Sequence, residues 1–278
     1  MSFKNRIKSL LKRLRVFYEH AFYSFSATEF EQALRDLSIT SGDTILVHSS
    51  FDAFKGFQGK PTDIIATLQK AVSPTGIIIM PTMPFTGTAV DYARANPLFD
   101  AKRTPSRMGL ITELFRRSSG VIRSLHPTHP VAVWGNQAEA IAAQHYLART
   151  PCGQGSPFER LLEHQGKILL IGTGIGVLTF YHYIEELFEE RLPINPFTKE
   201  LFLLKVKDPE GNLHSCETRL FEPAVSRRRN LHKIVPELKR IEALHRRRIG
   251  KLDITVLRAQ DVLNATRNLL DRGIHCYD

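Results

Sequence analysis

Short apolar runs separated by helical patterns predict an α/β chain in which helices cover both faces of a largely buried sheet, a three-layer α/β/α sandwich. Three observations carry this. Residues 44–48, 76–80, 131–134 and 167–172 are nearly unbroken apolar runs bounded by turn residues, the pattern of strands buried on both faces. Helical periodicities lie between several of them, at 61–72, 109–117, 137–143 and 157–162. A chain of 278 residues with 42% hydrophobic content is also long enough to bury such a core.

Taken in order, the chain opens on a basic amphipathic helix. Phe3, Ile7, Leu10, Leu14, Phe17 and Ala21 recur at steps of three and four, while Lys4, Arg6, Lys8, Lys12, Arg13 and Arg15 occupy mostly other faces. Such a helix suits an anionic membrane surface, or packing on the domain or a second subunit, as ordinary surface helices do. A second helix is expected over 27–37, with Ser26 or Thr28 as its N-cap. Residues 1–26 are thus read as an attachment to one domain spanning 27–278. Late in the chain, 201–221 reads as a β-hairpin around the turn Asp208-Pro209-Glu210-Gly211-Asn212. Beyond it, 231–245 reads as a very basic helix, 252–257 as a strand and 259–270 as the last helix.

Charge and cysteine content narrow the function. The net charge is +10, but residues 1–18 hold +6 and residues 219–251 hold +8, so the rest of the chain is −4. The Arg/Lys-rich segment 219–251 lacks interleaved aromatics and any known reader motif, which argues against nucleic acid. A solvated face, or a few cations meeting the phosphates of a nucleotide-like cofactor, fits better. No apolar run approaches the ~18 residues of a membrane span, and the N-terminus lacks a signal peptide's apolar block. A cytoplasmic protein is expected, with residues 1–18 available to the inner membrane face. Cys152, Cys216 and Cys276 are odd in number and far apart, so reduced thiols are expected. Cys152 as an acyl-accepting nucleophile is the less ordinary reading of a small residue in a tight loop.

The sharpest local feature runs from Lys167 through Gly172, Gly174 and Gly176 to Thr179, His182 and Glu185. A buried strand leading into a glycine turn and then a helix is where α/β sheets place ligands. At three-residue steps Thr179, His182 and Glu185 would share one helix face, where a carboxylate orients an imidazole acting as general base. The same spacing also describes a weak surface pair. The glycines do not have the G-x-G-x-x-G spacing of dinucleotide-binding turns. His126 and His129, with His182, raise a metal-dependent deacetylase as an alternative, but no H-E-x-x-H pattern completes a site. No G-x-S-x-G elbow is present.

An ordered set of short motifs then points to a family. Val47-His48-Ser49-Ser50-Phe51, Ile79-Met80-Pro81-Thr82, Thr104-Pro105-Ser106-Arg107-Met108-Gly109, Arg123-Ser-x-His126-Pro, Gly153-x-x-Ser156-Pro157, Leu169-Leu-x-Gly172 and Thr179-x-x-His182-x-x-Glu185 resemble the aminoglycoside 3-N-acetyltransferase family over about residues 27–265. The resemblance implies an α/β/α sandwich with a mixed sheet, distinct from the better-known general acetyltransferase superfamily. It implies acetyl-CoA as co-substrate, an amine-bearing acceptor and a catalytic role for His182 and Glu185, with Thr179 beside them. The cofactor is expected beside His48, Ser49, Ser50, Phe51, Thr104, Ser106, Arg107, Met108 and Gly109, with His126 nearby. Backbone N–H groups near Ser49 and Ser50, or the Thr179 hydroxyl, are the oxyanion donors this mechanism offers. The chain departs from the family pattern at Pro130, where many members carry serine. The basic segments lie outside the resemblance. Polycationic aminoglycosides call for acidic pockets, whereas a sugar amine on a nucleotide or lipid carrier would welcome cations. A homodimer is the ordinary oligomeric expectation, and a non-catalytic surface-binding protein on the same fold is the non-enzymatic alternative.

Overall fold

The computed structural model describes Asn5, Tyr18 and residues 21–278; most of the expected basic helix at 1–26 lies outside the described residues. Ser26 caps the helix Ala27–Asp36 in a capping box, its hydroxyl accepting from the Glu29 N–H while the Glu29 carboxylate accepts from the Ser26 N–H. The strands that follow are β1 (Thr44–Ser49), β2 (Ile77–Pro81), β3 (Phe99–Asp100), β4 (Val121–Arg123), β5 (Val131–Gly135), β6 (Lys167–Ile171), β7 (Phe197–Lys207), β8 (Leu213–Phe221), β9 (His245–Ile249) and β10 (Leu252–Arg258).

Seven strands form one mixed sheet in the order β4-β5-β2-β1-β6-β10-β9. Its centre, β2-β1-β6, is parallel, and an antiparallel pair extends it on either side. The central strands are apolar throughout because both faces are covered. Leu46, Ile77, Ile79, Val133 and Ile168 belong to a core built with the helices Ala138–Ala142, Pro157–Glu163, Tyr181–Leu187 and Ala259–Asp271. Their neighbours Ile45, Val47, Ile78, Ala132 and Leu169 belong to a second core, with the helices Ala27–Asp36, Pro61–Val72 and Leu110–Phe115. Successive side chains pointing to opposite faces produce this division.

The hairpin read at 201–221 is present but lies outside the main sheet. β3 pairs with β7 in parallel, making a three-stranded sheet β3-β7-β8. Phe202 and Leu204 face its small core while Leu201 and Leu203 face solvent. This sheet carries Phe221, at the end of β8, to the functional site.

One segment differs from its sequence reading. Residues 231–245 do not form a continuous helix: a 3-10 turn Leu231–Ile234 leads into a short helix Val235–Arg240, Glu242 turns at φ 55°, and β9 begins at His245. Arg246, Arg247 and Arg248 are exposed on an edge strand paired with β10. Charged side chains suit such an edge, but pairing with a later strand leaves no local periodicity. β4 and Phe99–Asp100 are too short to show one either.

Candidate functional site

β1 lies where the strand order reverses, with parallel neighbours β2 and β6 on either side. The carboxyl ends of these strands bring His48 and Ser49, Pro81, and the turn after Ile171 together, the crevice in which such sheets bind ligands. The turn is tight: Gly172 has φ 65°, and a Cβ there would lie 2.2 Å from the Ala53 Cβ. Only glycine fits both the left-handed backbone and that approach.

From this turn a 3-10 segment, Ile175–Val177, leads into the helix Tyr181–Leu187. Thr179 precedes this helix and does not share its face with His182. Its carbonyl accepts the His182 N–H, its hydroxyl donates to the Val177 carbonyl at 3.4 Å, and the residue borders the crevice. His182 and Glu185, three apart within the helix, do meet: Nδ1 and Oε2 are 2.8 Å apart. The Glu185 side chain is fully buried while 18% of the His182 side chain is exposed.

Two further residues fix the carboxylate. The Arg229 Nε donates to Glu185 Oε1 at 2.7 Å, and the Tyr277 hydroxyl donates to the same oxygen. Burial opposes the Glu185 charge, but the His182 hydrogen bond and Arg229 more than offset it and hold the carboxyl below its ordinary pKa. An ionised carboxylate only accepts, so His182 Nδ1 carries the proton and Nε2 keeps a lone pair. Burial lowers the His182 pKa, Arg229 lowers it further, and Glu185 only partly opposes them, so the imidazole is neutral at pH 7. Phe221 stacks on the ring at 4.3 Å and His129 meets it edge-on at 6.2 Å. The arrangement is a fixed neutral base backed by a buried carboxylate.

His182 stands between two cavities. The first, about 310 Å³, is bordered by His48, Ser49, Met108, Thr112, Thr173 and Thr179. The second, about 330 Å³, is bordered by Met83, Phe85, His129, Phe221, Ser226 and Arg227. Met83, His182 and Arg229 border both. Buried polar atoms without a hydrogen-bond partner gather at the first: His48 Nε2, Ser49 Oγ and Thr173 Oγ1. A polar ligand would satisfy them. Burial and the facing His182 push His48 down to about 4, so it too is neutral.

Of the other residues expected beside the cofactor, Ser50, Phe51, Thr104, Ser106, Arg107, Gly109 and His126 border neither cavity. The Ser50 N–H, offered as an oxyanion donor, donates to the Ile171 carbonyl and is not free. Phe51 packs on Phe54. Thr104 Oγ1 accepts from the Asp100 N–H, and the buried Ser106 lies 3.3 Å from Thr112 Oγ1. Arg107 is exposed, its N–H donating to the Met83 carbonyl, and Gly109, at φ 111°, caps the helix that carries Thr112. His126 is buried behind His129, its Nδ1 accepting from the N–H groups of Thr128 and His129. Among the described residues no group of three His, Cys, Asp or Glu side chains is placed to hold a metal ion. All three cysteines are unpaired and buried, and burial pushes the Cys152 thiol far above its ordinary pKa, the reverse of an activated nucleophile.

Sequence reasoning missed Arg229, Tyr277 and Phe221. Arg229 sits in a run of three arginines read as a solvated face. Nothing local marks the one that turns inward to a carboxylate 44 residues away.

Comparison with known proteins places the chain in a family. Residues 46–271 match the family model described as aminoglycoside 3-N-acetyltransferase. Aminoglycoside N(3)-acetyltransferase III of a Salmonella species is 32% identical over 166 residues, 55% of this chain and 58% of that protein. Aminoglycoside N(3)-acetyltransferase VII of Streptomyces paromomycinus is 31% identical over 173 residues, 58% of this chain and 60% of that protein. The chain therefore spans a little under two thirds of the length of these curated relatives. Among solved structures, aminoglycoside acetyltransferase AAC(3)-Xa superimposes with a TM-score of 0.78 at 20% identity, covering 94% of this chain and 98% of that one. AAC-IIIb in a binary complex with CoASH gives 0.74 at 21% identity, covering 91% and 99%. At these identities the structural likeness concerns the fold.

Proposed function

This chain belongs to the aminoglycoside 3-N-acetyltransferase family, and from that premise we propose that it transfers an acetyl group from acetyl-CoA to the amine of an amino-sugar-like acceptor, with His182 as general base. The observation that carries this reading is the position of His182 between two cavities, with its hydrogen-bond partner Glu185 behind it.

The first cavity suits the thioester. Its apolar walls, Val47, Pro81, Met108 and Leu178, surround the unpartnered His48, Ser49 and Thr173 atoms. Three residues on its rim, His48, Ser49 and Met108, belong to the segments that the family resemblance assigns to the cofactor. Acetyl-CoA supplies the activated acyl group: a C–N bond forms at its carbonyl carbon as the C–S bond breaks. The second cavity presents the amine. Free amines are mostly protonated near neutral pH, so the acceptor first loses one proton to solvent; as the neutral amine attacks, His182 Nε2 takes a second proton from the nitrogen and returns it to the departing thiolate. Glu185 stabilises the imidazolium formed meanwhile, and Arg229 and Tyr277 keep that carboxylate ionised and in place. The Thr179 hydroxyl, on the cavity wall, serves as a donor to the developing oxyanion.

The test is thiol release from acetyl-CoA in the presence of a panel of amines. Turnover that is lost on His182→Ala, in a variant with unchanged acetyl-CoA affinity by calorimetry, supports the assignment. Wild-type protein that binds no acetyl-CoA ends it.

A further inference from the structure

The second cavity is cationic where a polycationic acceptor would need acids. None of its bordering residues carries a carboxylate. Its polar wall is Ser226, Arg227 and Arg229, with the hydroxyl of Thr88 already donating to Asp91 at 2.6 Å. The Arg229 charge is matched by Glu185, but its Nη2 is buried and has no hydrogen-bond partner. Arg227 is exposed and forms no salt bridge among the described residues, so its charge is uncompensated. Arg228, between them, turns away to the Asp278 carbonyl.

The neighbouring acids are engaged elsewhere. Asp91 is exposed at the start of the helix Ala89–Arg94, bonded to Thr88. Glu222 caps the turn Pro223–Ser226 and faces a separate depression with Arg94 and Arg219. Glu185 is sealed behind His182. Met83, Phe85 and Phe221 make up an aromatic and apolar part of the lining, with the Arg229 guanidinium 5.7 Å from the Phe221 ring. At about 330 Å³ the cavity stands at the small end of ligand sites, which run from about 300 to about 1,000 Å³, and suits one ring with a substituent.

Resting on the transferase reading above, we propose that the acceptor is an amino sugar bearing a phosphate or pyrophosphate. Arg227, the free end of Arg229 and the Ser226 hydroxyl bind the anion, while Phe85 and Phe221 hold the ring with its amine toward His182. Guanidinium forks match phosphate oxygens in charge and geometry. A multiply protonated aminoglycoside would instead face Arg227 with no carboxylate to meet its ammonium groups.

The experiment uses the full chain with saturating acetyl-CoA and reads thiol release for four acceptors: glucosamine, glucosamine 6-phosphate, a nucleoside-diphosphate-linked amino sugar, and sisomicin as the polycation. The better of the two phosphate-bearing acceptors is expected to exceed glucosamine in kcat/KM by about 10- to 100-fold, the size of a charge-assisted contact. Which of them leads tells whether a monophosphate or a nucleotide carrier supplies the anion. Arg227→Glu should cut that preference at least tenfold, and high salt should shrink it in the wild type. Arg227 is exposed, so a thermal melt close to wild type is expected alongside.

Rates for both phosphate-bearing acceptors no higher than for glucosamine, a preference for sisomicin, or a preference unchanged by Arg227→Glu overturns the proposal while leaving the transferase reading intact. If acetyl-CoA binds but no acceptor turns over, calorimetry of the phosphate-bearing sugars with the CoA-loaded protein decides, and absence of binding overturns it. Failure to bind acetyl-CoA at all removes the transferase reading and the proposal with it.

Discussion

Glu185→Gln isolates the role of the buried carboxylate. In the native site Glu185 Oε1 accepts from Arg229 and Tyr277, and Oε2 lies 2.8 Å from His182 Nδ1. Two donors at one oxygen dictate how a glutamine sits: its carbonyl takes the Oε1 place, and its NH2 faces His182. That NH2 donates to Nδ1 and forces the proton onto Nε2, the nitrogen that should accept one from the amine. The variant also withdraws the charge that balances the imidazolium. Two unit charges about 4 Å apart interact by about 4 kcal/mol at an effective dielectric of about 20. With the proton half transferred in the transition state, about 2 kcal/mol is lost, and with full transfer about 4, so kcat should fall by roughly 30- to 1,000-fold. Steady-state thiol release measures kcat and both KM values, with a thermal melt to verify folding. A kcat within threefold of wild type, or a loss confined to KM, would refute the assignment of Glu185 to the chemical step.

Three other expectations follow from the same geometry. Arg229 helps hold the His182 pKa below its ordinary 6.5, and the base form exists only above that pKa, so Arg229→Met should move the acid limb of kcat/KM to higher pH. Activity near pH 6 would then fall while activity near pH 8 is partly kept; a limb that stays in place contradicts the coupling. Gly172→Ala should destabilise by about 2–4 kcal/mol in urea titrations, from left-handed backbone strain plus the clash with Ala53, and an effect below about 0.5 kcal/mol would show that the turn relaxes freely. Cys152→Ala, at a buried site beside neither cavity, should retain turnover within a fewfold, and complete loss in a folded variant would reopen a covalent route.

The mixed α/β architecture was legible where hydrophobic runs were long. β1, β2 and β6 each bury nearly every side chain and β5 buries its first three, so composition alone marks them, and Ser26 was one of two N-caps offered for the first described helix. β9 was not legible, since its arginines owe their place to pairing with β10, a contact that no local spacing records.

For the site, the sequence by itself determined that His182 and Glu185, three apart, would meet if helical, and the order of motifs around them pointed to the family. Which side of that pair faces the crevice was decided only by the tertiary structure, as was the placement of Thr179 before the helix. Packing also chose Arg229 from three adjacent arginines to neutralise Glu185, and left Arg227 uncompensated beside the second cavity. The physical reason is range. Helix spacing and turn chemistry act over a few residues, whereas burying a carboxylate demands a cation and hydrogen-bond donors from wherever the fold brings them, here from residues 44 and 92 positions away.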